Sequence, residues 1–171
     1  EDFALNLIVP QVEFLVKTAE FIKSAWENTL GIKTNLITLS PSDVVNEVLK
    51  SRNYEAVLFG NILQSNPDLF SFWHSSERFH PGLNLALYSN AKADQLIEEI
   101  RQTKEADIRQ QKLSTLQGVI TQDLPAVFLC SPRYIYVMRD VFGFEAEYLV
   151  TPADRFSNIE KWYLKTKRVF K

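Results

Sequence analysis

An α/β fold, with a mostly parallel sheet flanked by helices, is what this chain predicts, and three observations predict it. The first sixty residues alternate short apolar strands with helix-periodic stretches in the order β-α-β-α-β. Strands joined by a helical crossover run parallel, because a right-twisted strand feeding a right-handed helix packs back on the sheet in one hand. Two more helix-periodic stretches follow between about 90 and 123, in keeping with a layered α/β architecture.

The elements follow in order. "ALNLIVP" reads as a first strand, ended by Pro10, which has no N–H for the ladder. From Gln11 to Thr29, Val12, Leu15, Ala19, Ile22, Ala25 and Trp26 recur at three- and four-residue spacing, the stripe of an amphipathic helix. Gly31 suits its C-terminal cap, and "KTNLITL" reads as a second strand. Ser40, Pro41 and Asp43 give a hydroxyl cap, a preset first turn and negative charge at the positive dipole end. Val44, Val45, Val48 and Leu49 then form an apolar face, and "NYEAVLFG" is the third strand.

"FHPGLNLALYSN" reads as irregular. Asn90 caps a helix whose Ala93, Leu96, Ile97 and Ile100 share a face. Ile108, Lys112, Leu116, Val119 and Ile120 mark a second helix, and both helices are expected on a sheet face. "LPAVFLCSP" and "RYIYVMRD" read as two β-rich runs, after which "VFGF" leaves the sheet. The tail around Trp162, Tyr163, Leu164 and Val169 reads as a strand or a surface segment.

Composition narrows the function classes. The 171 residues carry a net charge of -2, with acidic and basic residues interspersed, so no basic patch points to nucleic acid. With 46% apolar residues the chain builds a real core, and one α/β domain over 1–171, with a tail from about 144, is expected. The single cysteine, Cys130, makes no internal disulfide and reads as part of a buried strand. No segment holds the ~20 apolar residues of a bilayer span. The chain opens at Glu1 and soon enters an apolar run, which reads as a cut end, from maturation or trimming.

Catalytic signatures are missing: there is no Gly-rich phosphate loop, no G-x-S-x-G and no H-E-x-x-H. His74, Glu77 and His80 match no standard zinc spacing, and a solvated or capping role outweighs a metal site. No cofactor and no metal are expected. Asp68 and Asp94 each sit near a helix start, where a carboxylate is favourable for its own sake. Phe70, Phe72 and Trp73, just after a strand end, compose either a ligand wall or the anchor of a short helix. Gly60 permits a tight turn or the close approach of a ligand, at the carboxyl end of a strand where open parallel sheets bind ligands.

The order "YEAVLFGNILQSNPDLFSFWHSS", then "LALYSNAKADQLIEEIRQT", then "LQGVITQDLPAVFLCSPRYIYVMRDVFGF" resembles the C-terminal lobe of the bacterial extracellular solute-binding proteins of family 5, the oligopeptide, dipeptide and nickel importers. The resemblance implies one lobe of a type II periplasmic-binding-protein fold, acting as the substrate-binding component of an ABC importer and not as an enzyme. It implies a peptide or similar solute held in a cleft against the protein's own N-terminal lobe, and delivery to an ABC permease. It also implies a monomer outside the cytoplasm, periplasmic or at the cell surface, held as a lipoprotein through an N-terminus not present here.

The family's binding loop falls on Gly60, Asn61, Ile62, Leu63 and Gln64, followed by Asn66 and Asp68, with Trp73 beyond. Asn61 stands where the family commonly has tryptophan, and Gln64 where peptide-binding members have an acid for the ligand's free amine. An amide cannot form the charge-assisted bond an ammonium prefers. That departure favours a longer, blocked or non-peptide ligand. Two other readings stand beside this one: a small hydrolase using His74 and Asp68, and a protein-interaction domain docking through Trp162 and Lys165.

Overall fold

A computed structural model describes residues 3–61, 68–132, 135–145, 149 and 151–165. They fall into two compact units, one of Glu1–Gly60 with Asp68–Val127 and one of Asn61–Pro67 with Phe128–Lys171.

The larger unit opens with the expected crossovers. Strands β1 (Ala4–Pro10), β2 (Lys33–Leu39) and β3 (Ala56–Val57) lie parallel in the order β2-β1-β3. Helix α1 (Glu13–Leu30) joins the first two and ends at Gly31, whose φ of 66° is the left-handed conformation that a residue without Cβ adopts freely. Strand β3 is much shorter than "NYEAVLFG" suggested, and Pro10 is the reason. The register pairs Ala56 with Leu7 and Val57 with Ile8, and Leu58 N–H still donates to Ile8 O at 2.9 Å. The next rung needs an N–H from residue 10, which proline lacks. At the other end, Asn6 N–H turns to the Glu55 carboxylate at 2.7 Å.

Successive β1 side chains point to opposite faces, and each face has its own cover. Leu7 and Val9 pack with Ala19, Leu58, Leu15, Ile22 and Trp26, so α1 covers one side. Ile8 packs with Val44, Val48, Leu49, Tyr54 and Leu85 on the other. Each fully buried aliphatic side chain there stabilises the unit by about 1.5–3 kcal/mol.

Ser40 caps the second helical segment as expected, its Oγ accepting from Asp43 N–H at 3.1 Å. Helix α2 (Pro41–Asp43) widens into a π-type turn over Val44–Val48 and closes as α3 (Leu49–Ser51). The wider turn changes the apolar face. Leu49 N–H bonds Val44 O, stacking those two residues and leaving Val45, expected inside, 45% exposed.

Helices α4 (Phe70–Trp73), α5 (Ala91–Gln102) and α6 (Ala106–Asp123) form a third cluster around Ile97, Ile100, Leu116 and Ile120, to which Leu69, Phe70 and Trp73 add. This cluster contains no sheet residue, so the expectation that α5 and α6 lie on a sheet face is corrected: they pack on each other and on α4. Ile108, expected on the stripe, is exposed. At 3.6 residues per turn a four-residue repeat drifts by roughly 40° per step, which carries Ile108 away from Leu116.

In the smaller unit, β4 (Val141–Phe142) pairs antiparallel with β5 (Tyr163–Leu164). Thus "VFGF", expected to leave a sheet, supplies a strand. Gly143, at φ 78°, turns the chain so close to the Lys161 carbonyl that a Cβ would collide with it. The Trp162 ring meets Phe144 and Phe156 at centroid distances of 5.6 Å each, and its Nε1 donates to Asn158 Oδ1 at 2.9 Å.

The two β-rich runs read at 124–140 are not strands among the described residues. An apolar run becomes a buried strand only beside a partner ladder, and among the described residues none flanks this one. Cys130, expected in a buried strand, is exposed instead.

Candidate ligand-binding site

The resemblance places the expected ligand residues from the end of β3 to the end of α4. Gly60 follows the last rung of that strand. Its φ lies outside the left-handed range, and a Cβ there would meet nothing within 4 Å. A tight turn therefore does not explain the glycine, and the position faces open space. Asn61 is exposed, while Ile62, Leu63, Gln64 and Asn66 lie outside the described residues.

Asp68 opens the return into the larger unit, and both its carboxylate oxygens are engaged. Oδ1 accepts from Phe70 N–H at 3.1 Å, and Oδ2 pairs with Arg101 Nη2 of α5 at 3.2 Å. The same Arg101 guanidinium lies over the Phe70 ring, 4.6 Å from its centroid, and His74 stacks on that ring at 4.1 Å. Phe70 in α4 and His74 just after it face Glu98 and Arg101, three apart on one face of α5. Trp73 is half-buried in the α4–α6 cluster and meets Tyr88 edge-on at 6.2 Å.

His74 is a turn cap, as the capping reading had it: its Nδ1 accepts from Ser76 N–H at 3.2 Å. Its Nε2 lies 3.5 Å from Glu98 Oε1. His80 is exposed, and among the described residues no cluster of three or more His, Cys, Asp or Glu is placed to hold a metal. Asp94, in the first turn of α5, accepts from Ser75 N–H at 2.9 Å and Ser75 Oγ at 2.6 Å.

Behind α4 lies a polar network that sequence reasoning missed. Asn84, fully buried, donates to His74 O and Tyr88 O at 3.1 and 2.9 Å and accepts from Tyr88 N–H at 3.0 Å. Tyr88 O–H donates to Asp123 Oδ2 at 2.6 Å, and Asn90 Nδ2 donates to the same oxygen at 2.7 Å. Burial first, and then the bond to Asp123, raise the Tyr88 pKa far above its usual value of 10.0. The same bond, with that of Asn90, lowers Asp123 below 3.8. Nothing in "LNLALY" signalled this, since its importance comes from burial. The arrangement fixes one segment firmly on two helices.

The comparisons agree in direction. No family model matches the chain. The oligopeptide-binding protein AppA of Bacillus subtilis is 30% identical over 113 residues, 66% of this chain and 20% of that protein. The structure of AppA in complex with a nonapeptide matches 96% of this chain and 32% of that one, with a TM-score of 0.74 and 23% identity. The periplasmic oligopeptide-binding protein OppAIV of Borrelia burgdorferi matches 74% of this chain and 25% of its own, with a TM-score of 0.65 and 26% identity. The chain thus spans about a fifth of the length of the curated relative it matches. By sequence the chain is similar to an oligopeptide-binding protein, and by fold to solute-binding proteins of that kind.

Proposed function

We propose that this chain is one lobe of the substrate-binding component of an ABC importer, a binding protein and not an enzyme. It captures a peptide or similar small solute in a cleft against the protein's own N-terminal lobe and delivers it to an ABC permease. The observation that carries this reading is the 30% identity, over 113 residues, to a protein whose name is oligopeptide-binding. Its parallel sheet also presents the Gly60 segment at the carboxyl end of a strand, where open α/β sheets receive ligands. The ligand residues are Gly60, Asn61, Ile62, Leu63, Gln64 and Asn66, with Asp68 and Trp73 at the return.

Affinity in such a receptor comes from enclosing the solute between two surfaces. The protein works outside the cytoplasm, as a lipid-anchored monomer. Removing one wall forfeits much of the ~70–90% ligand burial typical of a closed pocket, so this chain alone binds peptides weakly. The test is calorimetry with a peptide library on this chain and on the full-length protein that carries it. Peptide binding by the longer form alone supports the reading, whereas a sub-micromolar constant on the chain alone sinks it. Gln64 adds a finer expectation: N-acetylated peptides bind at least as well as free-amine ones, for want of a charged partner at that position.

A further inference from the structure

We propose that the outer edge of β2 is a latent interface for a second copy of this chain, held closed by the Glu27 carboxylate, which occupies a backbone donor that pairing would need. The inference stands apart from solute binding.

Strand β2 is outermost in the order β2-β1-β3, so one side of it faces no strand among the described residues. The ladder fixes which groups lie on that side. Gln11 N–H donates to Leu39 O at 2.7 Å, so Leu39 turns its backbone toward β1. Successive residues of a strand point their backbone groups to alternate sides. Lys33, Asn35 and Ile37 therefore also face β1, and Thr34, Leu36 and Thr38 face outward. The position of Glu27 agrees: from the last turn of α1 its Oε1 accepts from Thr34 N–H at 3.2 Å. The N–H groups of Leu36 and Thr38 have no partner among the described residues.

An open edge of this kind is a template for another strand, and a second copy meets its demands. About a twofold axis at Leu36, β2 pairs antiparallel with itself: Leu36 meets Leu36, and Thr34 of each copy meets Thr38 of the other. The strand carries a single charge, Lys33 at its start, so like charges do not hold two copies apart. Only the Thr34 end is closed. There the carboxylate takes the N–H that would donate to the other copy's Thr38 carbonyl, and it presents to that carbonyl an acceptor where a donor is required. Lys23, one turn earlier on α1, lies 3.7 Å from Glu27 Oε1 and helps to hold it.

The experiment is sedimentation of the full-length protein that carries this chain, as wild type, Glu27→Ala, Thr38→Pro and the double variant, over a range of concentrations, followed by hydrogen exchange. Proline at 38 removes an edge donor without touching the β1 ladder, as edge strands allow. Removing Glu27 restores the Thr34 bond at both ends of the twofold pairing, which corresponds to roughly tenfold or more tighter self-association. Wild type stays monomeric. Glu27→Ala forms a dimer whose fraction rises with concentration and whose Thr34, Leu36 and Thr38 amides gain protection, and the double variant returns to monomer. A Glu27→Ala protein that stays monomeric at the highest concentration overturns the proposal. So does association that Thr38→Pro fails to reverse, the mark of misfolding or of another surface, and so does a wild type that dimerises as tightly as Glu27→Ala.

Discussion

Pro10 closes β1 and also sets the length of β3, because the rung that would continue β3 needs a donor proline lacks. One residue thereby decides where the chain leaves the sheet and where the candidate segment begins. Gly60 sits just beyond. Since a Cβ there meets nothing, Gly60→Ala changes stability by less than about 0.5 kcal/mol, the range of substitutions in open space. If solute backbone approaches this position closely, the same variant weakens binding by the full-length protein at unchanged melting temperature. Equal loss of both, measured by calorimetry, would assign the glycine a folding role.

At the scale of elements, the α4–α6 cluster and the Tyr88 network hold the site's support. Ile97 is almost wholly buried between the helices, so Ile97→Ala costs about 3 kcal/mol in urea unfolding, as other buried large-to-small changes do. A loss under 1 kcal/mol would mean that the cluster collapses around the gap. The Tyr88–Asp123 bond adds a pH signature. Asp123 is depressed below 3.8 in the folded state, so its contribution is present above that pH and fades as pH falls through the folded value. Tyr88 is raised above 10.0, so its contribution is present below pH 10 and is lost as pH climbs beyond it. Tyr88→Phe therefore flattens both limbs of the stability–pH curve, and an unchanged acid limb would dissolve the assignment to Asp123.

For the whole molecule, apolar surface in the smaller unit is telling. Ile135 and Val137 are 83% and 86% exposed there, and apolar side chains left this open mark interaction surfaces when they cluster. Under the proposed function, the occupant is the protein's own N-terminal lobe. Ile135→Ser then costs the isolated chain under about 0.5 kcal/mol. In the full-length form it costs more than 1 kcal/mol, the scale of removing a buried aliphatic side chain. Equal small losses in both, by thermal unfolding, would leave that surface without its proposed cover.

By itself the sequence determined what local chemistry decides. It fixed the β-α-β-α-β order through period and punctuation, the Ser40 and Asn90 caps through a side-chain acceptor next to free N–H groups, and the Gly31 stop through the left-handed conformation. It also carried the family resemblance, spread along the order of its segments. The tertiary structure decided what depends on partners distant in sequence. The π-type turn put Val45 outside, Arg101 of α5 met Asp68, and Asn84 became a buried junction. The run from 124 to 140 looked like strand because its residues favour strand, but a strand exists only when a neighbour completes its ladder, and propensity carries no record of that neighbour.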